Sequence, residues 1–204
     1  MDGDNGRCFS ACPAFMSETI ATLAALDDRL RTLLQDHARR EPAHSALAAE
    51  FGTLIDDPED PFRRERLAGH FTASCWLVSA DGQRALLTHH RKLERWLQLG
   101  GHADGDHDLA RVALKEAEEE SGLAGLVLED PAIFDLDKHW IPQRKDVPGH
   151  WHYDVRFVIR ALGGEDFVPS EESLDLAWRP VTEIADDPQS DESMQRMARR
   201  WLVR

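Results

Sequence analysis

Gly100-Gly-His-Ala-Asp-Gly-Asp-His-Asp-Leu-Ala-Arg-Val-Ala-Leu-Lys-Glu-Ala-Glu-Glu-Glu-Ser-Gly-Leu123 is the stretch on which the reading of this chain turns. It runs as a glycine loop, then an acidic loop, then a helix stopped by Gly122. Residues three and four apart share a helix face. Glu116, Glu119 and Glu120 therefore stand together, Leu109, Val112, Ala113 and Ala117 face a core, and Arg111 and Glu118 turn elsewhere.

Like charges at this spacing cost roughly 0.2–0.5 kcal/mol per pair in an isolated helix. A hard divalent cation converts that repulsion into binding, because Mg²⁺ takes oxygen ligands and keeps several waters beside a phosphate substrate. The plain alternative is a solvated acidic face. The glycine pair before the helix and the Ser121-Gly122-Leu123 stop after it favour the ion.

The stretch resembles the signature of the Nudix hydrolases, which runs Gly, five residues, Glu, seven residues, Arg-Glu-apolar-x-Glu-Glu-x-Gly-apolar. Gly101 opens it here, Glu116 follows the basic position, Ala117 is the apolar residue, Glu119 and Glu120 are the acidic pair, and Gly122 and Leu123 close it. Two positions depart: His107 stands where the family has Glu, and Lys115 where it has Arg. The resemblance implies an α/β (α+β) fold, a mixed β-sheet sandwiched between helices, and hydrolysis of a diphosphate linked to another moiety with Mg²⁺ or Mn²⁺. It implies Glu116, Glu119, Glu120 and the backbone of Gly101 as metal ligands. Glu120, Glu116 or Glu172 is the general base, Glu172 because some members carry a carboxylate six residues before a Trp, here Trp178. In the family the Arg braces the glutamates through a planar fork; Lys115 keeps the charge but not the bidentate geometry. Either Asp106 or Asp108 replaces the acid lost at His107, or two positive groups face one another and loosen the metal site.

The 204 residues can hold one sizeable core with an appendage, or at most two small domains. With 24 basic and 38 acidic residues the net charge is −14. This speaks against a non-specific binder of nucleic-acid duplexes, which shows a basic patch or stripe. A nucleotide substrate is still compatible, since a cation can mediate between an acidic site and a polyphosphate. No apolar run approaches the roughly 18 residues of a membrane span, and 1–16 reads as a disordered leader without signal-peptide order. Cys8, Cys12 and Cys75 make no disulfide scaffold, and the expected compartment is the cytoplasm.

Residues 17–65 read as a helical extension. Ser17 caps a first amphipathic helix to residue 40, and Leu47, Phe51, Leu54 and Ile55 line a second. The pair is expected to pack on the core, with covering the site or forming a homodimer contact as alternatives. Residues 66–204 form the catalytic domain. Strands are expected from Phe71 to Val78 and from Arg84 to His90 around an Asp81-Gly82 turn, and one or two short ones within 127–137. Residues 138–148 read as a polar loop. The clearest strand of the second half sets His150, His152 and Asp154 along one surface. That trio is read as contacting substrate, binding a transition metal, or serving structural or solvent-facing roles. Arg95, Arg144 and Lys145 are the basic candidates for a substrate phosphate, and Trp96, Trp140 and Trp151 for stacking on a base.

The substrate class is a small, nucleotide-derived diphosphate compound. Two rival readings stand beside hydrolysis: a regulatory module that binds a nucleotide metabolite without cleaving it, and a non-hydrolytic diphosphate enzyme such as an isomerase.

Overall fold

A computed structural model describes residues 13–91, 95–169 and 173–204. Among them the strands are β1 (Gly69–Val78), β2 (Arg84–His90), β3 (Arg95–Leu97), β4 (Leu99–His102), β5 (Leu126–Leu128), β6 (Asp135–Ile141), β7 (His150–Ala161) and β8 (Ser173–Pro180). The helices are α1 (Pro13–Arg40), α2 (Ser45–Ile55), α3 (Leu109–Ser121), α4 (Val181–Asp186) and α5 (Glu192–Leu202).

The spine of the mixed sheet is β1 lying parallel to β7, in register from Gly69 opposite Trp151 to Val78 opposite Arg160. β2 and β4 pair antiparallel with β1, β5 and β6 with β7, and β3 and β8 with β2. Strand alternation sorts the two faces. Phe71, Ala73, Cys75 and Leu77 of β1 join Val155, Phe157 and Ile159 of β7 in a core shared with α1, α2 and α3. On the opposite face Trp76, Val78 and Val158 pack with Met194, Met197 and Ala198 of α5 and Ile184 of α4. The sheet is thus sandwiched between helices, as the signature implied.

The N-terminal helices pack on the core. Leu30, Leu34, Phe51 and Leu54 are buried in the same cluster as Phe71 and Tyr153. The first helix begins at Pro13 rather than Ser17, so the boundary of the expected leader moves back, and residues 1–12 lie outside the described residues. A proline in the first turn gives up only an amide that has no intrahelical acceptor, so the helix can extend upstream of Ser17. The chain within 138–148 also differs from expectation. β6 continues through Lys138-His139-Trp140-Ile141 because β7 offers it a full antiparallel ladder, and only the remainder turns. Among the described residues no helix is long and apolar enough to cross a membrane.

His37 ties α1 to the sheet side. Its ring is fully buried, with Nδ1 3.2 Å from the Ile133 carbonyl and Nε2 3.1 Å from His44 Nδ1. Burial pushes its pKa down to about 4, against the opposing pull of the Ile133 carbonyl. A folded-state pKa below the unfolded value means stability is complete above about 6.5 and is lost as pH falls through about 4. The loss from this residue is on the order of 3 kcal/mol. Urea unfolding across that pH range is expected to show a steeper loss in the parent than in His37→Gln.

Candidate functional site

The helix at the centre of the sequence argument is α3, and its ends form as its residues dictate. Asp108 caps it, accepting from the Arg111 amide at 3.2 Å, and Gly122 ends it in the left-handed region at φ 66. Leu109, Val112, Ala113 and Ala117 are buried in the core. That orientation leaves Glu116, Glu119 and Glu120 on a cleft of about 610 Å³, together with Gly100, Gly101 and Lys115. The cleft also takes in Arg64, Asp104, Gln98, His102, His139, His152 and Asp154.

The two glycines do different jobs. A Cβ on Gly100 would stand 2.6 Å from the Ala73 carbonyl oxygen and 2.6 Å from the Ser74 Cα, both backbone atoms. A Cβ on Gly101 would instead meet the Glu116 carboxylate at 2.5 Å. Gly100→Ala is therefore expected to destabilise the fold by about 1–3 kcal/mol through overpacking. Gly101→Ala should leave the melting temperature nearly unchanged and weaken divalent-cation binding by displacing Glu116. Thermal melts beside calorimetric Mn²⁺ titrations separate the two effects.

The departures from the signature are resolved in an unanticipated way. His107 does not face Lys115: its Nδ1 lies 2.6 Å from Asp27 Oδ1 on α1, and its ring stacks on Phe62 with centroids 3.9 Å apart. Neither flanking acid replaces the family's Glu as a brace. Asp106 holds Arg111 through two bonds of 2.9 and 2.6 Å, and Asp108 is the helix cap. Lys115 reaches Glu119 at 2.8 Å and Glu116 at 3.7 Å by itself. These contacts hold its pKa above the ordinary lysine value, led by the Glu119 hydrogen bond. The planar fork in this cleft is Arg64, which donates to both oxygens of Asp104 at 2.5 Å.

Asp154 is a floor of the cleft rather than a wet surface group. It is 1% exposed and accepts from Thr72 at 3.0 Å, Ser74 at 2.7 Å and Arg156 Nε at 2.7 Å. The sequence leaves substrate, metal, structural and solvent roles open for this surface; β1 lies alongside β7 and supplies the hydroxyls that hold Asp154. Arg156 is buried too, and it bridges Asp154 to Asp135 at 3.3 Å and Asp137 at 3.2 Å. Burial alone would raise the Asp137 carboxyl, but His139, Arg156 and Arg196 outweigh it and hold the group well below the usual range.

Of the sequence candidates, Glu116, Glu119, Glu120, Lys115, Gly101, His152 and Asp154 are brought together. Arg95 lies on exposed β3, and Arg144 and Lys145 occupy an exposed turn closed by the Arg144–Val147 bridge; none of them lines the cleft. Glu172 lies outside the described residues. Sequence reasoning missed Arg64, Asp104, His102 and His139. His102 and Asp104, inside the Gly100–Leu123 stretch, carried a signal in their position; Arg64 and His139 carried none.

The donor set suits a hard divalent cation, being carboxylate oxygens beside a glycine loop whose Cα sits under one of them.

The family model described as NUDIX domain matches residues 69–201. That span takes in the sheet, the helix of glutamates and the C-terminal helices, and the chain belongs to the Nudix family. Among solved structures it is similar to a Caenorhabditis elegans Ap4A hydrolase in a binary complex (TM-score 0.51, 15% identity, covering 65% of this chain and 95% of that one). It is similar to a MutT protein from Methanosarcina mazei Go1 (TM-score 0.51, 17% identity, 68% and 96%). A third is the Escherichia coli dihydroneopterin triphosphate pyrophosphohydrolase (TM-score 0.50, 14% identity, 65% and 94%). At these identities the likeness is one of fold. No curated protein matches the chain.

Proposed function

We propose that this chain is a metal-dependent pyrophosphohydrolase that cleaves the diphosphate of a nucleoside diphosphate linked to another moiety. The observation that carries the reading is the convergence of Glu116, Glu119 and Glu120 of α3 with the Gly100-Gly101 loop on one cleft. Glu116, Glu119, Glu120 and the Gly101 backbone are the residues to hold Mg²⁺ or Mn²⁺. When bound, such an ion neutralises phosphate oxygens and lowers the pKa of a water.

The chain's own groups supply the rest. Arg64 and Lys115 are the cations of a cleft that Asp104, Asp154 and the three glutamates make acidic on balance, so a polyphosphate is favoured there through a bound divalent ion. A glutamate accepts the proton of the attacking water, with Glu120 and Glu116 the half-buried candidates and Glu172 a third from the family pattern. The Ser74 and Thr72 hydroxyls hold Asp154 in place at the cleft floor.

A panel of dinucleotide polyphosphates, nucleotide sugars, ADP-ribose and nucleoside triphosphates, each with Mg²⁺ or Mn²⁺, tests the proposal by phosphate or pyrophosphate release. Turnover of at least one class is expected. One observation favours the rival reading of a binding module: Lys115 already occupies Glu119 and leans on Glu116. Saturable nucleotide binding with no release across the panel would establish that rival. If hydrolysis holds, Lys115→Arg is expected to preserve or raise the rate, since a fork can span both carboxylates where an ammonium cannot. A large loss would mean that the register of the signature has been misassigned.

A further inference from the structure

A second group of side chains stands behind the wall of the same cleft. Parallel pairing sets His70 of β1 directly opposite His152 of β7, and His150 lies two residues before it on the same face. One ring nitrogen from each of these three histidines lies within 4.8 Å of the other two. His70 is 1% exposed and His150 7% exposed, while His152 is half-buried and lines the cleft.

The hydrogen bonds assign the tautomers. His70 Nδ1 is 3.1 Å from the Arg66 carbonyl and His150 Nδ1 is 2.8 Å from the Pro148 carbonyl. A carbonyl only accepts, so each Nδ1 carries the proton and each Nε2 presents a lone pair. The pattern is that of metal-binding imidazoles, whose second nitrogen donates to a backbone carbonyl or carboxylate that orients the ring.

The alternative is a closed hydrogen-bonded cluster, and it does not close. His150 Nε2 and His152 Nε2 are 3.2 Å apart, so one protonated His152 can serve His150. His70 Nε2 is still buried with no hydrogen-bond partner among the described residues. A buried acceptor without a partner is destabilising. A single cation satisfies all three nitrogens at once. Zn–N bonds of about 2.0–2.1 Å in a tetrahedron put ligand nitrogens about 3.3 Å apart. The His150–His152 pair already has that separation, at 3.2 Å, and the His70 nitrogen lies within 4.8 Å of both.

We propose that His70, His150 and His152 form a transition-metal site of the Zn²⁺ class, separate from the glutamate site of α3 and next to the diphosphate cleft. Three imidazoles with neutral, nitrogen-only donors select zinc, cobalt or nickel over Mg²⁺. A fourth coordination position is left for water, a substrate oxygen or a nearby side chain, as in zinc sites that keep an open position. His102 stands close by, its ring centroid 5.2 Å from His70 and 5.0 Å from His152. Burial, with help from the neighbouring histidines, pushes His152 down to about 2, and burial lowers His70, which favours the neutral form of these two rings.

Cobalt substitution tests this on the full chain. After dialysis against chelator, Co²⁺ is expected to bind one per chain with the intense visible bands of a four-coordinate site, and Zn²⁺, but not Mg²⁺, to displace it. His152→Gln and His150→Gln should each weaken Co²⁺ binding at least about tenfold. Glu120→Gln should leave the bands unchanged. Circular dichroism checks the folding of each variant, and half-buried His152 serves if the buried His150 is not tolerated. Featureless Co²⁺ spectra from the parent, or bands that survive both histidine changes and vanish in Glu120→Gln, would overturn the proposal. The readout is binding, so it is independent of hydrolysis. Bands in a chain that cleaves nothing count against the hydrolase alone, and turnover without bands counts against the histidine site alone.

Discussion

Glu120→Gln is expected to lower the Mg²⁺- or Mn²⁺-dependent rate about 10³-fold while the melting temperature stays within a few degrees of the parent. The residue lies on the cleft side of α3, half-buried, whereas the packing of that helix rests on Leu109, Val112, Ala113 and Ala117. Glutamine keeps the shape and removes the negative charge. Losing one preorganised charge at a reacting centre typically costs about 10²–10³ in rate, and losing a metal ligand adds to that. A factor of 10³ corresponds to about 4 kcal/mol of transition-state stabilisation. Glu119→Gln should lower the rate in the same direction. Glu118→Gln is the control, since Glu118 is exposed and lies outside the cleft lining. Initial rates over a range of metal concentration, paired with melts, make the comparison. Undiminished turnover in Glu120→Gln would remove the catalytic assignment from this helix.

The second large effect concerns stability. Asp135 is fully buried at the start of β6 and accepts from three arginines: Arg156 at 3.3 Å, Arg196 at 2.7 Å and Arg200 at 2.7 Å. It joins β7 to α5, because Arg196 and Arg200 come from that helix. Removing one partner of a buried ion pair leaves uncompensated charge, at a cost of about 3–5 kcal/mol. Asp135→Ala is therefore expected to lower the unfolding free energy by that amount, measurable by urea titration. For a domain of this size this is a drop of roughly 10 °C in melting temperature. The same Arg156 holds Asp154 at the cleft floor, so the variant should also lose activity at temperatures where it is folded. Asp130→Ala removes the exposed pair with Arg204 and the bond Asp130 accepts from the Ala132 amide, and should cost only about 1 kcal/mol.

Where the sequence could be read, local rules sufficed. Helical period placed the glutamates on one side of α3 and the small apolar residues on the other, and both placements hold because the helix has its own cap and its own stop. Strand alternation placed His150, His152 and Asp154 on one surface of β7, and they do share it. What covers that surface is left open. A period of two says that residues share a face but not whether water or another strand covers it. Two of the missed cleft residues, Arg64 and His139, carry no local pattern tied to the signature. They meet it only through the pairing of distant strands and the packing of the segment between α2 and β1.

What the sequence by itself determined is the local part: the glycine loop, the capped helix with its acidic and apolar sides, the strands with two faces, and through the signature the family of the fold. Tertiary structure decided what those faces meet. The parallel register of β1 on β7 depends on contacts between residues some eighty positions apart, and only that pairing puts Thr72 and Ser74 beside Asp154 and His70 beside His152. It also decided the fate of His107, which α1 and Phe62 draw out of the site. The physical reason is range: backbone periodicity and capping act within a few residues, whereas burial and charge pairing depend on which distant segment arrives to cover them.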